Sequence, residues 1–166
     1  MTHEIWVDIE DFPGYSVSNY GQICFTKADR VLALSLTQSG LVQVGLFRDG
    51  VQYHRSVPLL VAKAFVPPVD GPFDTPINLN GDREDNRADN LAWRPRWFAV
   101  KYFRQFRHPY TSPIDRAIVD LRTGEVSHNS ITCAMRYGLL EEDLVQSILY
   151  RTFVWPTYQR FGIVDD

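Results

Sequence analysis

PINLNGDREDNRADNLAW, residues 76–93, is the stretch on which the reading of this 166-residue chain turns. It has the shape of a two-stranded hairpin leading into a helix, with short apolar ends around a polar, turn-rich centre. Its acids, Asp82, Glu84, Asp85 and Asp89, read as a solvated turn and helix face, with cation binding as the sharper alternative.

Upstream, the first third reads as short strands: Tyr15 to Ser18, Gln22 to Phe25, Val31 to Leu36, Leu41 to Phe47 and Val51 to Val57. Asp49-Gly50 between two alternating runs predicts a hairpin, because both central residues of a type I′ turn need positive φ. The expectation is one small antiparallel sheet of about five strands. Leu59 to Phe65 follows as a short apolar helix packed on that sheet, stopped by Val66-Pro67-Pro68.

Composition bounds the possibilities. With 45% apolar residues the chain can bury a core. No run of 18 apolar residues is present, so no membrane span is expected, and the acidic, mixed N-terminus is unlike a signal peptide. Cys24 and Cys133 form neither a metal spacing nor a disulfide framework, which points to a reducing cytoplasm. No cofactor motif stands out. The net charge of −3 conceals an asymmetry: residues 93–110 hold five basic side chains and no acidic one. Any polyanion contact is therefore expected at Arg94, Arg96, Lys101, Arg104 and Arg107, interleaved with Trp97, Phe98, Tyr102, Phe103 and Phe106. The competing account is an amphipathic helix whose aromatics fill a core while its arginines reach solvent.

The order EIWVDIEDFPGYSVSNYGQI, LLVAKAF, NGDREDNRADNLAW over residues 4–93 resembles the phage and intron HNH homing endonucleases. In that family a modular N-terminal motif precedes H-R-L-V-A-x-A-F and then N-H-I-D-G-N-K-x-N-N-R-x-x-N-L-x-W. Counted back from Asn90-Leu91-Ala92-Trp93, Arg87, Asn86 and Gly81 fall in register.

The same register exposes departures. Pro58 stands at the family's His in H-R-L-V, Asn78 at its general-base His, Ile77 at the position of a frequent metal ligand, and Ala99 near the second ligand. Asn90, which the resemblance implies braces the loop, is kept. A carboxamide cannot take a proton from water near neutral pH, and no His lies between Arg55 and Arg107. The expectation is a degenerate unit without metal ligands, hence a chain that is not an enzyme.

Beyond a linker at His108 to Pro113, the segment Ala117 to Phe161 resembles the intron-nuclease C-terminal repeat, which implies a β-hairpin followed by a helix-turn-helix. Ser130 is expected at an N-cap and Gly138 at the turn between the helices. Glu141-Glu142-Asp143 suit the helix dipole but repel phosphate, leaving Gln146, Tyr150 and Arg151 as weaker contact residues.

Together these readings give an α+β chain in three parts: residues 1–57 as the modular β motif, 58–108 as a degenerate HNH-like unit with a basic aromatic helix, and 109–166 as the helix-turn-helix-like module. The function expected is a catalytically inactive, nuclease-derived phage protein in the host cytoplasm that binds double-stranded DNA as a regulatory or accessory factor. The alternatives are a module that binds a protein partner such as a polymerase or nuclease, and an active HNH endonuclease with an atypical site.

Overall fold

The computed structural model describes residues 3–107 and 113–164. Two compact units emerge: Met1–Asn78 with Asp82–Arg96, and Leu79–Gly81 with Trp97–Asp166. The expected linker falls, from His108 to Ser112, outside the described residues.

In the first unit, β1 (Trp6–Asp8), β2 (Tyr15–Ser18), β3 (Ile23–Phe25) and β4 (Arg30–Val31) form an antiparallel sheet in chain order. A second sheet holds β5 (Ser35–Leu36), β6 (Val42–Arg48) and β7 (Val51–Ser56). The single five-stranded sheet expected from the sequence is thus two sheets. The run Val31 to Leu36 divides: Leu32 gives its N–H to Ile23, ending the first ladder, and Ser35 pairs with Gln43 in the next. Strand β1 gave no signal because all three of its residues are exposed, leaving no alternation to detect. Alternation is clear on β6, where Val42, Val44 and Leu46 are buried, and Asp49 and Gly50 take φ of 51° and 78° as the hairpin turn requires.

The helix α1 (Val57–Phe65) starts two residues earlier than the apolar run suggested. Ser56 caps it by accepting from the Leu59 N–H at 3.3 Å, and Pro58 sits in the first turn, where a missing N–H costs nothing. Val57, Val61 and Ala62 join Phe12, Val17, Ile23, Val44 and Leu46 in the core. Leu91 and Trp93 of a third, two-stranded sheet complete it. That sheet pairs β8 (Thr75–Asn78) with β9 (Leu91–Arg94), Asn78 opposite Leu91. The predicted hairpin is present.

Its loop is braced by the N-terminal strands. The Ala88 N–H donates to the Asn19 carbonyl at 2.9 Å, and the Arg83 guanidinium donates to the Ser39 carbonyl at 2.7 Å. Gly21, at φ +83°, lies so close that a Cβ there would sit 3.0 Å from the Asn86 carbonyl oxygen. Gly21→Ala therefore combines a left-handed backbone with a backbone clash, and a loss of ~2 kcal/mol is expected in urea unfolding.

The second unit begins on α2 (Arg96–Arg104), a helix whose first residue belongs to the first unit. Strands β10 (Ile118–Asp120), β11 (Val126–Ser127) and β12 (Phe161–Ile163) make a sheet with β10 central. Between β11 and β12 lie α3 (Ser130–Tyr137) and α4 (Glu141–Tyr150). Ile118, Cys133, Ala134, Leu139, Leu144, Val154 and Phe161 form its core. Gly138 ends α3 at φ +63°, as the turn was expected to need. The N-cap is Asn129, not Ser130: Asn129 accepts from the Thr132 N–H while the Thr132 hydroxyl accepts from the Asn129 N–H, both at 3.0 Å. Asn competes at least as well as Ser for this position, and the Ser130 hydroxyl is left to donate to the Glu141 carboxyl. No described helix is long and apolar enough to cross a membrane.

Candidate nucleic-acid interface and hairpin site

Helix α2 separates its residues by face. Phe98, Ala99 and Tyr102 are buried, whereas Arg96, Trp97, Val100, Lys101 and Arg104 are exposed. Positions 96, 100 and 104, with 97 and 101 beside them, follow the four-residue rise of one helix side. Three cations therefore share the solvent face, and Arg107, just beyond the helix, is also exposed. The packing is that of an amphipathic helix: Phe98 and Tyr102 are buried, and the charges stay in water. Arg94 is placed differently. It is 8% exposed and donates to its neighbour's carbonyl, that of Trp93, at 2.7 Å.

Gln146 and Arg151 are both exposed, the latter capping α4 at φ 55°. The three acids at the start of α4 are not alike. Glu142 and Asp143 are exposed, but Glu141 is 2% exposed, its backbone N–H donating to Gln105 Oε1 at 3.1 Å. Burial pushes its carboxyl up to about 7. The picture of three carboxylates facing a phosphate is corrected to two. A folded-state value raised above the unfolded one gives stability that is full at acidic pH and falls as pH rises from about 4.5 to about 7. Glu141→Gln is accordingly expected to raise stability by ~2 kcal/mol at pH 8 and to leave it nearly unchanged at pH 4, read as urea midpoints at the two pH values.

At the hairpin, Ile77 is fully buried and Asn78 is 2% exposed. The Asn78 amide donates to the Asp85 carbonyl at 2.8 Å and to Asn86 Oδ1 at 2.9 Å. Asn90 donates to the same Asp85 carbonyl at 2.8 Å, and Asn86 donates to the Arg83 carbonyl at 3.2 Å. Two carboxamides, those of Asn78 and Asn90, thus converge on the Asp85 carbonyl, with Asn86 tied in through Asn78. Outside this knot, Arg87 Nε pairs with Asp85 at 3.3 Å and Asp89 at 3.5 Å.

Ala99 is buried on α2. Ile77 and Ala99 offer no oxygen or nitrogen, and the Asn78 amide is turned to Asp85 and Asn86. Among the described residues no three His, Cys, Asp or Glu side chains converge as a metal site. The side chains at the family's two metal positions, Ile77 and Ala99, carry no ligand atom.

The NUMOD4 motif is matched over residues 4–47. A protein of Acanthamoeba polyphaga mimivirus, named as an uncharacterized HNH endonuclease, is 37% identical over 94 residues, which are 54% of this chain and 23% of that protein. The chain therefore spans about a quarter of that relative's length. Among solved structures, the HNH homing endonuclease I-HmuI, in a study of its DNA binding and cleavage, has the same fold at a TM-score of 0.54. It shares 19% identity, with 98% of this chain and 99% of that one covered. The resemblance to HNH homing endonucleases and the α+β fold are borne out. The expectation that the chain is not an enzyme is corrected, since the matched relative and the matched structure are both named as endonucleases. Its weakness was physical. A missing imidazole removes one base from one position and says nothing about bases elsewhere.

Proposed function

From a NUMOD4 motif joined to the fold of an HNH homing endonuclease, we propose that this chain is an endonuclease-type protein that binds duplex DNA with the solvent face of α2. The observation that carries the reading is the shared exposure of Arg96, Lys101 and Arg104 on one helix side, continued by Arg107. Phosphate contact needs cations free to reach solvent, and these have no acidic neighbour within residues 93–110. Arg94, being buried, is left out of this surface.

Asn78 belongs to the same proposal as a clamp. Its amide holds the loop between β8 and β9 through Asp85 and Asn86, and a carboxamide does not act as a proton acceptor toward water. Strand cleavage by this chain would therefore draw its base from another residue.

Two assays test the two halves. Anisotropy of a labelled duplex across a salt series measures the grip, and binding that is indifferent to salt would end that half of the proposal. Nicking of supercoiled plasmid, run at low temperature with Asn78→Ser confirmed folded by circular dichroism, measures the other. Nicking by the native chain that disappears in this folded variant would make Asn78 a reacting group rather than a clamp.

A further inference from the structure

The second unit carries a groove walled by the aromatic side chains of α2, α4 and the segment after α4. It measures about 540 Å³ and is lined by Trp97, Asp143, Gln146, Tyr150, Phe153 and Trp155, among others. Three of these aromatics show an amount of surface that is unusual for their type: Trp97 is 54% exposed, Tyr150 73% and Phe153 63%. Trp97 stacks on Trp155 with ring centroids 5.4 Å apart and planes 19° from parallel, and Trp155 is in turn packed on buried Phe98. The stack is thus anchored on the core side, with Lys101 over the Trp97 ring, while Tyr150 and Phe153 expose more of their surface. Aromatic surface exposed to this extent is costly to hydrate and marks a place that a partner can cover.

Charge around the groove narrows the partner. The Lys101 ammonium lies 5.8 Å from the Trp97 ring centre, and the Arg160 guanidinium lies 5.6 Å over Phe153 while donating to the Arg151 carbonyl. Exposed Arg151 directly precedes the lining residues Thr152 and Phe153. Cations beside exposed aromatic faces are the pattern that seats a base and neutralises its phosphates. Asp143 and Gln146 lie on the same wall and supply polar groups that can meet a base edge; Asp143 also places one carboxylate there, opposed by Lys101.

We infer that this groove seats an unpaired nucleobase of a DNA strand, stacked on exposed Tyr150 and Phe153, with Arg151 and Arg160 meeting the flanking phosphates. The inference deepens the DNA-binding reading and rests on it, but it concerns a base outside the paired duplex, which the α2 cations alone do not recognise.

The test uses the full chain and three probes: a short fluorescein-labelled single strand of mixed sequence, the same sequence as a perfect duplex, and a duplex carrying 2-aminopurine as a single unpaired base. Tyr150→Leu with Phe153→Leu alters exposed side chains off α2, so thermal unfolding should stay near that of the native chain. Expected is a fall in single-strand affinity of roughly ten- to a hundredfold, with perfect-duplex affinity unchanged within about twofold. Binding of the native chain should also change the fluorescence of the unpaired 2-aminopurine through stacking. Single-strand binding that survives the double variant, or losses of equal size on single strand and duplex, would overturn the seat. So would an unpaired 2-aminopurine whose emission ignores bound protein, a readout independent of variant folding. Loss of duplex binding in the native chain with single-strand binding intact would instead remove the α2 proposal and keep the groove.

Discussion

Glutamine at Arg96, Lys101, Arg104 and Arg107 together is expected to weaken duplex binding by roughly a hundred- to a thousandfold at moderate salt. These side chains stand in water on one side of α2 and its continuation, so their removal leaves Phe98, Ala99 and Tyr102 packed as before. The distinguishing readout is the slope of log affinity against log salt. Four lost phosphate contacts should flatten it by about 3 to 4, because each contact releases close to one counterion. Arg94→Gln is the internal control. Its side chain is buried against the Trp93 carbonyl, and it should cost stability while leaving the salt slope in place. A quadruple variant with native salt dependence would show that α2 does not carry the grip.

The second large effect belongs to Asn78. An aspartate there has nearly the same shape but replaces a donor with an acceptor, facing the Asp85 carbonyl and Asn86 Oδ1. Near neutral pH the buried site then holds a charge among oxygens, and Asn78→Asp is expected to lose about 3 to 4 kcal/mol in urea unfolding. The sign of its pH dependence follows. The introduced carboxyl is raised in the folded state by burial and by neighbours that accept only, so the protonated form folds best. Stability should recover as pH falls toward 4, where the acid can again donate, and decline as pH rises. A pH-independent loss would mean that the loop rearranges away from Asp85 instead of holding the knot.

Much of the fold was legible because it rests on local signals. Asp49-Gly50, the alternation on β6, the proline stop after Val66 and the left-handed Gly138 each act within a few residues. What escaped depended on distant partners. Nothing local announces that Leu32 ends one ladder and Ser35 begins another, since the Ile23 carbonyl and Gln43 make that division. At the candidate site, the sequence identified the cation-rich helix but could not tell Arg94 from Arg104. Likewise the run Glu141-Glu142-Asp143 looks uniform until Ser130 and Gln105 are seen to take Glu141 inward. The stack of Trp97 on Trp155 joins residues far apart in the chain and left only a trace, an excess of aromatics beside the bases.

The brace between the N-terminal strands and the hairpin loop bears on whether the matched motif could be exchanged between chains. A segment that recurs as a motif, here residues 4–47, invites treatment as an exchangeable cassette. Yet Asn19 and Ser39 lend their carbonyls to Ala88 and Arg83, and Gly21 is kept bare so that Asn86 can approach it. A donor cassette must therefore bring not only its own strands but two correctly aimed carbonyls and one missing side chain. Shuffling at the motif's edges would be inherited successfully only where the recipient's loop already matches them.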